Sequence, residues 1–242
     1  MHGRANHRPG RILSRGFTLV ELLVVLAVIV VLLAILLPAL RRVRITAFRT
    51  GCAHNLRQIA LGMNMYLDDH DGVYPWAQDP VSTDPAYWLW MGRGWRPFLR
   101  SYLGGTADAQ DPSVLLCPED RTDPAMYEST SYAYSMAFYH SPEQIDATSD
   151  KSDTYSNPQP SLRQRRGDVA HPAAKILLGE WFSNHFPVDD EQGWWNWQGA
   201  RNFLFADGRV AFLDAEQILP ANDNLPDANL TIHGIQGHDV AP

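Results

Sequence analysis

Residues 17–40 read FTLVELLVVLAVIVVLLAILLPAL and hold one ionisable side chain, Glu21. A carboxylate among hydrocarbon costs about 3 kcal/mol on membrane-insertion scales, so it marks a function unless it escapes to water. Two fates fit its chemistry. Either a partner brings a cation that offsets the desolvation, or the side chain reaches back to nearby lipid headgroups.

The other titratable and nucleophilic residues match no catalytic pattern. There is no nucleophile elbow, phosphate loop, dinucleotide fingerprint or paired zinc-ligand motif, and His54, His70, His140, His171 and His185 fall in different segments. No enzymatic activity, no cofactor and no metal site is expected. Asp68-Asp69-His70-Asp71-Gly72 fails as a calcium loop, because the EF-hand frame puts Leu67 first and Gln78 at the bidentate position. It reads as a solvated turn.

Cys52 and Cys117 suit either one bridge in an oxidising compartment or two separate buried thiols. Trp194, Trp195 and Trp197 form an aromatic group that is either core or a surface for a glycan or envelope protein. Arg166-Gly167-Asp168 spells an adhesion tripeptide of a kind frequent by chance.

The segment that holds Glu21 sets the architecture. As a helix its 24 residues rise about 36 Å, enough to cross a hydrocarbon core of roughly 30 Å. Core helices of soluble domains seldom stay apolar on every face over such a length. A membrane span is expected there, and Pro38, which removes one helix hydrogen bond, is a candidate kink. Ile45, Phe48, Cys52, Leu56, Ile59, Met63 and Tyr66 then recur at steps of three or four, which predicts an amphipathic continuation of the same helix.

Charge divides along the same line. Arg4, Arg8, Arg11 and Arg15 precede the span and Arg41, Arg42, Arg44 and Arg49 follow it. Beyond Thr50 lie 26 of the 27 acidic residues with 12 of the 20 basic ones, so that part carries a net −14 against −7 for the whole chain. So acidic a domain argues against binding nucleic acid directly. Arginines on both sides of the span leave orientation open on loop charge alone.

Strand signals gather late in the chain. KILLGEW at 175–181 and RNFLFAD at 201–207 are short apolar runs, and RVAFL at 209–213 alternates. Asp207-Gly208 between the last two is a two-residue hairpin signal, since both residue types tolerate positive φ. Residues 75–105 read as a loop region with aromatic anchors, and 127–166, polar and weakly periodic, as an insertion or flexible segment. The expected fold is α+β, one long N-terminal helix packed on a small antiparallel sheet with long loops. Its parts are a basic leader (1–16), the span (17–40), the amphipathic continuation (41–70), an exported globular domain (71–219) and a C-terminal tail (220–242).

Arg15-Gly16-Phe17-Thr18-Leu19-Val20-Glu21, with the apolar run to Pro38, resembles the prepilin cleavage and methylation motif of type IV pilins and type II secretion pseudopilins. The resemblance implies that a membrane-embedded prepilin peptidase cuts after Gly16 and that the new amino group of Phe17 is methylated. A glycine there lets extended backbone enter a narrow protease cleft. It also implies that Glu21 meets the N-terminal ammonium of a neighbouring subunit. The N-terminus would be cytoplasmic and the domain periplasmic, with one pass through the inner membrane. Partners would be the peptidase, other pilin-like subunits and the inner-membrane assembly machinery, and the role that of a structural filament subunit. The alternative is a membrane-tethered binding module that uses the signal for delivery. Cys52-Ala-His-Asn-Leu-Arg-Gln-Ile, residues 66–75 and Leu116-Cys117-Pro118 are further similar to a planctomycete-type pilin-like group. Its tail carries a His, nine residues and then Asp-Gly. Here Trp197 stands at that His position before Asp207-Gly208.

Overall fold

The computed structural model describes residues 18–76, 95–104, 114–120, 131–153, 159–189, 193 and 195–241. The chain divides into two units, residues 1–44 and 45–242, and helix α1 (Leu19–Asp69) contributes to both. In the first unit the helix passes through Pro38 without interruption. Its apolar side chains, Leu19, Leu23 and Ile35 among them, are exposed. This is a helix long and apolar enough to cross a membrane.

In the second unit α1 turns one stripe inward. Cys52, Leu56, Ile59, Met63, Tyr66 and Leu67 are buried, and Ile45 at the head of the expected stripe stays exposed. Gly62 belongs to the same face because a Cβ there would lie 2.8 Å from Leu103, so its lack of a side chain allows that close approach. The helix ends where the N–H of Gly72 donates to the Leu67 carbonyl at 2.7 Å. Of the acidic run, Asp68 and Asp69 are the helix's last residues and 70–72 form the turn, and Asp69 accepts from the Tyr102 hydroxyl at 3.0 Å. Arg166 of the RGD tripeptide, itself a single 3-10 turn, pairs with exposed Asp68 at 2.5 Å.

Four strands, β1 (Tyr132–Tyr134), β2 (Ile176–Glu180), β3 (Ala200–Phe205) and β4 (Val210–Asp214), form one sheet in chain order. All pairs are antiparallel, with Tyr132 opposite Glu180 and Leu204 opposite Val210. The helix stripe and residues from β1, β2 and β3 share one core. The α+β arrangement, one long helix on a small antiparallel sheet, is the one the sequence predicts.

Two local expectations change. The stretch 127–166, read as an insertion or flexible segment, contains β1, and of its described residues Tyr132, Tyr134, Phe138, Tyr139 and Ile145 are buried. Helix α2 (Arg96–Leu99) precedes it and α3 (Pro142–Asp146), capped by Ser141, lies within it. The hairpin after β3 is also not a two-residue turn. Gly208 alone of the pair has positive φ, at 88°. The Phe205 N–H donates to Arg209 and the Gly208 N–H to Phe205, which leaves a three-residue loop closed by a left-handed glycine.

Residues 220–241 are built into the unit. Leu230 and Ile235 are buried, and the Asp239 carboxylate accepts from the Ile176 N–H at 2.6 Å.

Candidate functional site

At the start of α1, Thr18 and Glu21 close a reciprocal cap. Glu21 Oε2 accepts from the Thr18 backbone N–H at 2.8 Å and from its hydroxyl at 2.7 Å, and the Glu21 N–H donates to Thr18 Oγ1 at 3.2 Å. Helix-start N–H groups have no partner within the helix, so this pairing supplies one locally. Thr18 is a residue the sequence reading missed, although Thr-x-x-Glu before an apolar run is the spacing that signals such a cap. Gly16 and Phe17 lie outside the described residues.

The second unit assembles a different group. Cys52, on α1, forms a disulfide with Cys117, on the loop before β1, with Cα atoms 5.1 Å apart. That loop is pinned to the helix by Asn55, whose side-chain amide donates to the Leu116 carbonyl at 2.9 Å. The Cys117 N–H donates to Ser131 at 2.9 Å. Beside the bridge lie Glu180, the last residue of β2, and His185 in the turn that follows. His185 Nε2 is 3.0 Å from Glu180 Oε1 and 3.4 Å from Cys117 Sγ. One ligand atom from each of the four residues falls within 4.8 Å of the others, and all four residues are buried.

Glu180 is held from behind. Its Oε2 accepts from the Asn202 backbone N–H at 2.8 Å, and Oε1 from the Asn202 side-chain amide at 3.1 Å. That amide also donates to the Arg49 carbonyl at 3.3 Å, which ties β3 to the helix. Burial first, and the Glu180 charge second, push the Tyr132 hydroxyl well above its ordinary pKa. No signal in the sequence pointed to Glu180 and His185, because each stands alone in its own segment.

The aromatic group divides. Trp195 is half-buried and stands edge-on to Trp181 at 4.7 Å between ring centroids, with the Lys151 ammonium 5.1 Å from its ring. Trp197 is 39% exposed, and Trp194 lies outside the described residues. Asp207 and Gly208 form the turn already described, in which Asp207 Oδ1 accepts from the Arg209 N–H at 2.9 Å.

Comparison with known proteins places the N-terminal segment. Residues 12–37 match the family described as the prokaryotic N-terminal methylation motif. The chain is also similar to the ComG operon protein 3 homolog of Bacillus licheniformis, 36% identical over 62 residues, which are 26% of this chain and 64% of that relative. The match thus spans just under two thirds of the relative's length. No solved structure matches the chain. The motif, the relative and the exposed apolar helix support a type IV prepilin-like reading of the N-terminal segment.

Proposed function

We propose that this prepilin-like chain is a structural subunit, cut after Gly16 by a prepilin peptidase, methylated on Phe17 and assembled into a type IV pilus-like or type II secretion filament. Residues 17–40 hold it in the inner membrane before assembly, with the N-terminus cytoplasmic and the acidic unit on the far side. It has no catalytic role. One observation carries the reading: within residues 12–37, matched as a methylation motif, the single charged group of the apolar helix is Glu21.

The Glu21 carboxylate reaches the Thr18 N–H within its own chain. In a chain cut after Gly16, that N–H is one residue from the new Phe17 ammonium. A lone subunit thus keeps its acid satisfied at the helix start, and packing against a second subunit exchanges this local bond for an intermolecular ion pair. In hydrocarbon such an exchange favours the paired state, because either charge left single is costly.

Mass spectrometry of the mature protein from cells with a working peptidase tests the reading. The expected N-terminal residue is methylated Phe17, and recovery of an intact chain starting at Met1 refutes it.

A further inference from the structure

We propose that Cys52, Cys117, Glu180 and His185 form a redox-gated site for a divalent metal ion of the zinc class, closed while the disulfide stands and opened by its reduction. The donor set supports zinc. Two thiolates, an imidazole nitrogen and a carboxylate oxygen make a four-coordinate site of the kind zinc occupies, whereas calcium and magnesium take oxygen donors.

The geometry points the same way. Zinc bonds of 2.0 to 2.3 Å give a tetrahedron with edges of about 3.3 to 3.8 Å. His185 Nε2 stands 3.0 Å from Glu180 Oε1 and 3.4 Å from Cys117 Sγ, and all four ligand atoms lie within 4.8 Å of one another. One ring nitrogen is aimed at both a carboxylate and a sulfur, as convergence on a shared centre requires. The donors come from four segments that the fold locks separately: α1, the loop pinned by Asn55, the end of β2, and the turn after it.

The surroundings are those of a ligand shell. Glu180 is fully buried, and His185 Nε2 stands 3.0 Å from its Oε1. Asn202 holds the carboxylate from behind through two hydrogen bonds at 2.8 and 3.1 Å, the role outer-shell partners play for metal-bound carboxylates.

Opening takes two electrons and two protons. A dithiol reductant supplies both: its thiolate attacks one sulfur, the Cys52–Cys117 bond breaks, and the reductant leaves as its own disulfide while two protein thiols form. The metal then displaces one proton from each thiol, and two metal–sulfur bonds form beside those from His185 Nε2 and one Glu180 oxygen. Reoxidation by a disulfide oxidant returns the electrons to it and expels the ion.

Cobalt(II) is the probe, because thiolate-to-cobalt charge transfer and intense visible bands report tetrahedral sulfur coordination. The full chain in detergent micelles is titrated with cobalt(II) either as the disulfide or after reduction with dithiothreitol and anaerobic removal of the reductant. The expected result is saturable uptake of one ion per chain by the reduced protein, none by the disulfide form, and displacement of cobalt by zinc. Glu180→Gln and His185→Ala should each weaken uptake at least tenfold. Equal uptake by both redox forms, or none by either, overturns the proposal with wild-type protein alone. So does reduced-form uptake that neither substitution diminishes.

Discussion

Lys175 and Asp239 form an ion pair at 3.3 Å with both side chains buried. Burial lowers the Lys175 pKa from its ordinary 10.5, and the Asp239 charge works against that fall. Asp239 also accepts the Ile176 N–H at 2.6 Å, and Thr231 bonds to both charged groups. Asp239→Ala leaves an uncompensated buried ammonium and an unpartnered strand N–H. A loss of about 3 to 5 kcal/mol is expected, read from urea unfolding of the full chain in detergent by fluorescence.

Two buried groups should give the stability curve opposing slopes in mildly acidic solution. Burial holds His140 near 4, below its ordinary 6.5. Its folded pKa is depressed, so its contribution is present above pH 6.5 and lost as pH falls towards about 4. Burial, with the Asp223 charge second, pushes Asp227 up to about 7 from 3.8. Its folded pKa is raised, so its contribution is full below 3.8 and lost as pH rises through about 7. Each shift corresponds to on the order of 3 to 4 kcal/mol, and between pH 4 and 6.5 they offset. Asp227→Asn should remove one side of that balance, so that stability climbs steadily from pH 4 to 6.5. A flat profile for the variant would contradict the assignment.

Removing the Cys52–Cys117 bridge should cost about 4 kcal/mol, from loop-closure entropy across its 65-residue separation. Denaturant midpoints of the Cys52→Ser/Cys117→Ser protein and the oxidised wild type measure it. An unchanged midpoint would mean that the bridge does not constrain the unfolded chain.

Glu21→Ala should leave membrane insertion intact and abolish incorporation into sheared filaments. Glu21→Gln separates the roles of this side chain. The amide can still accept from Thr18 but cannot pair with an ammonium, so it should insert normally and fail to assemble. Assembly of the glutamine variant at wild-type levels would rule out charge pairing.

The two described tryptophans of the aromatic group should behave differently. Trp195→Ala removes the ring that packs on Trp181 and should destabilise by about 3 kcal/mol. Trp197, 39% exposed, should change stability by less than about 0.5 kcal/mol. If the unit presents an aromatic surface to a glycan, Trp197→Ala should lose retention on a glycan array while its unfolding midpoint stays put.

Features carried by local pattern were legible before folding. The span needs only composition and length, and the stripe from Cys52 to Tyr66 only a period near 3.6. Gly208 announced its turn because few other residues accept positive φ. β1 was not legible, since its three residues are too short to display alternation and its strand character comes from pairing with β2. The Glu180–His185 cluster was hidden for a different reason. Its four donors are scattered over 52–185, and no spacing rule links residues that only the folded chain brings together. Thr18 is the exception, a residue whose spacing to Glu21 was readable and passed over.

The clasp between Asp239 and the backbone of Ile176 joins positions 63 apart, and ribosomes deliver a polypeptide from its amino end. Both cysteines are therefore made before β2, and β2 waits for its acceptor until nearly all the rest of the unit has been synthesised. A chain lacking Asp239 would leave the buried Lys175 ammonium without its ion-pair partner.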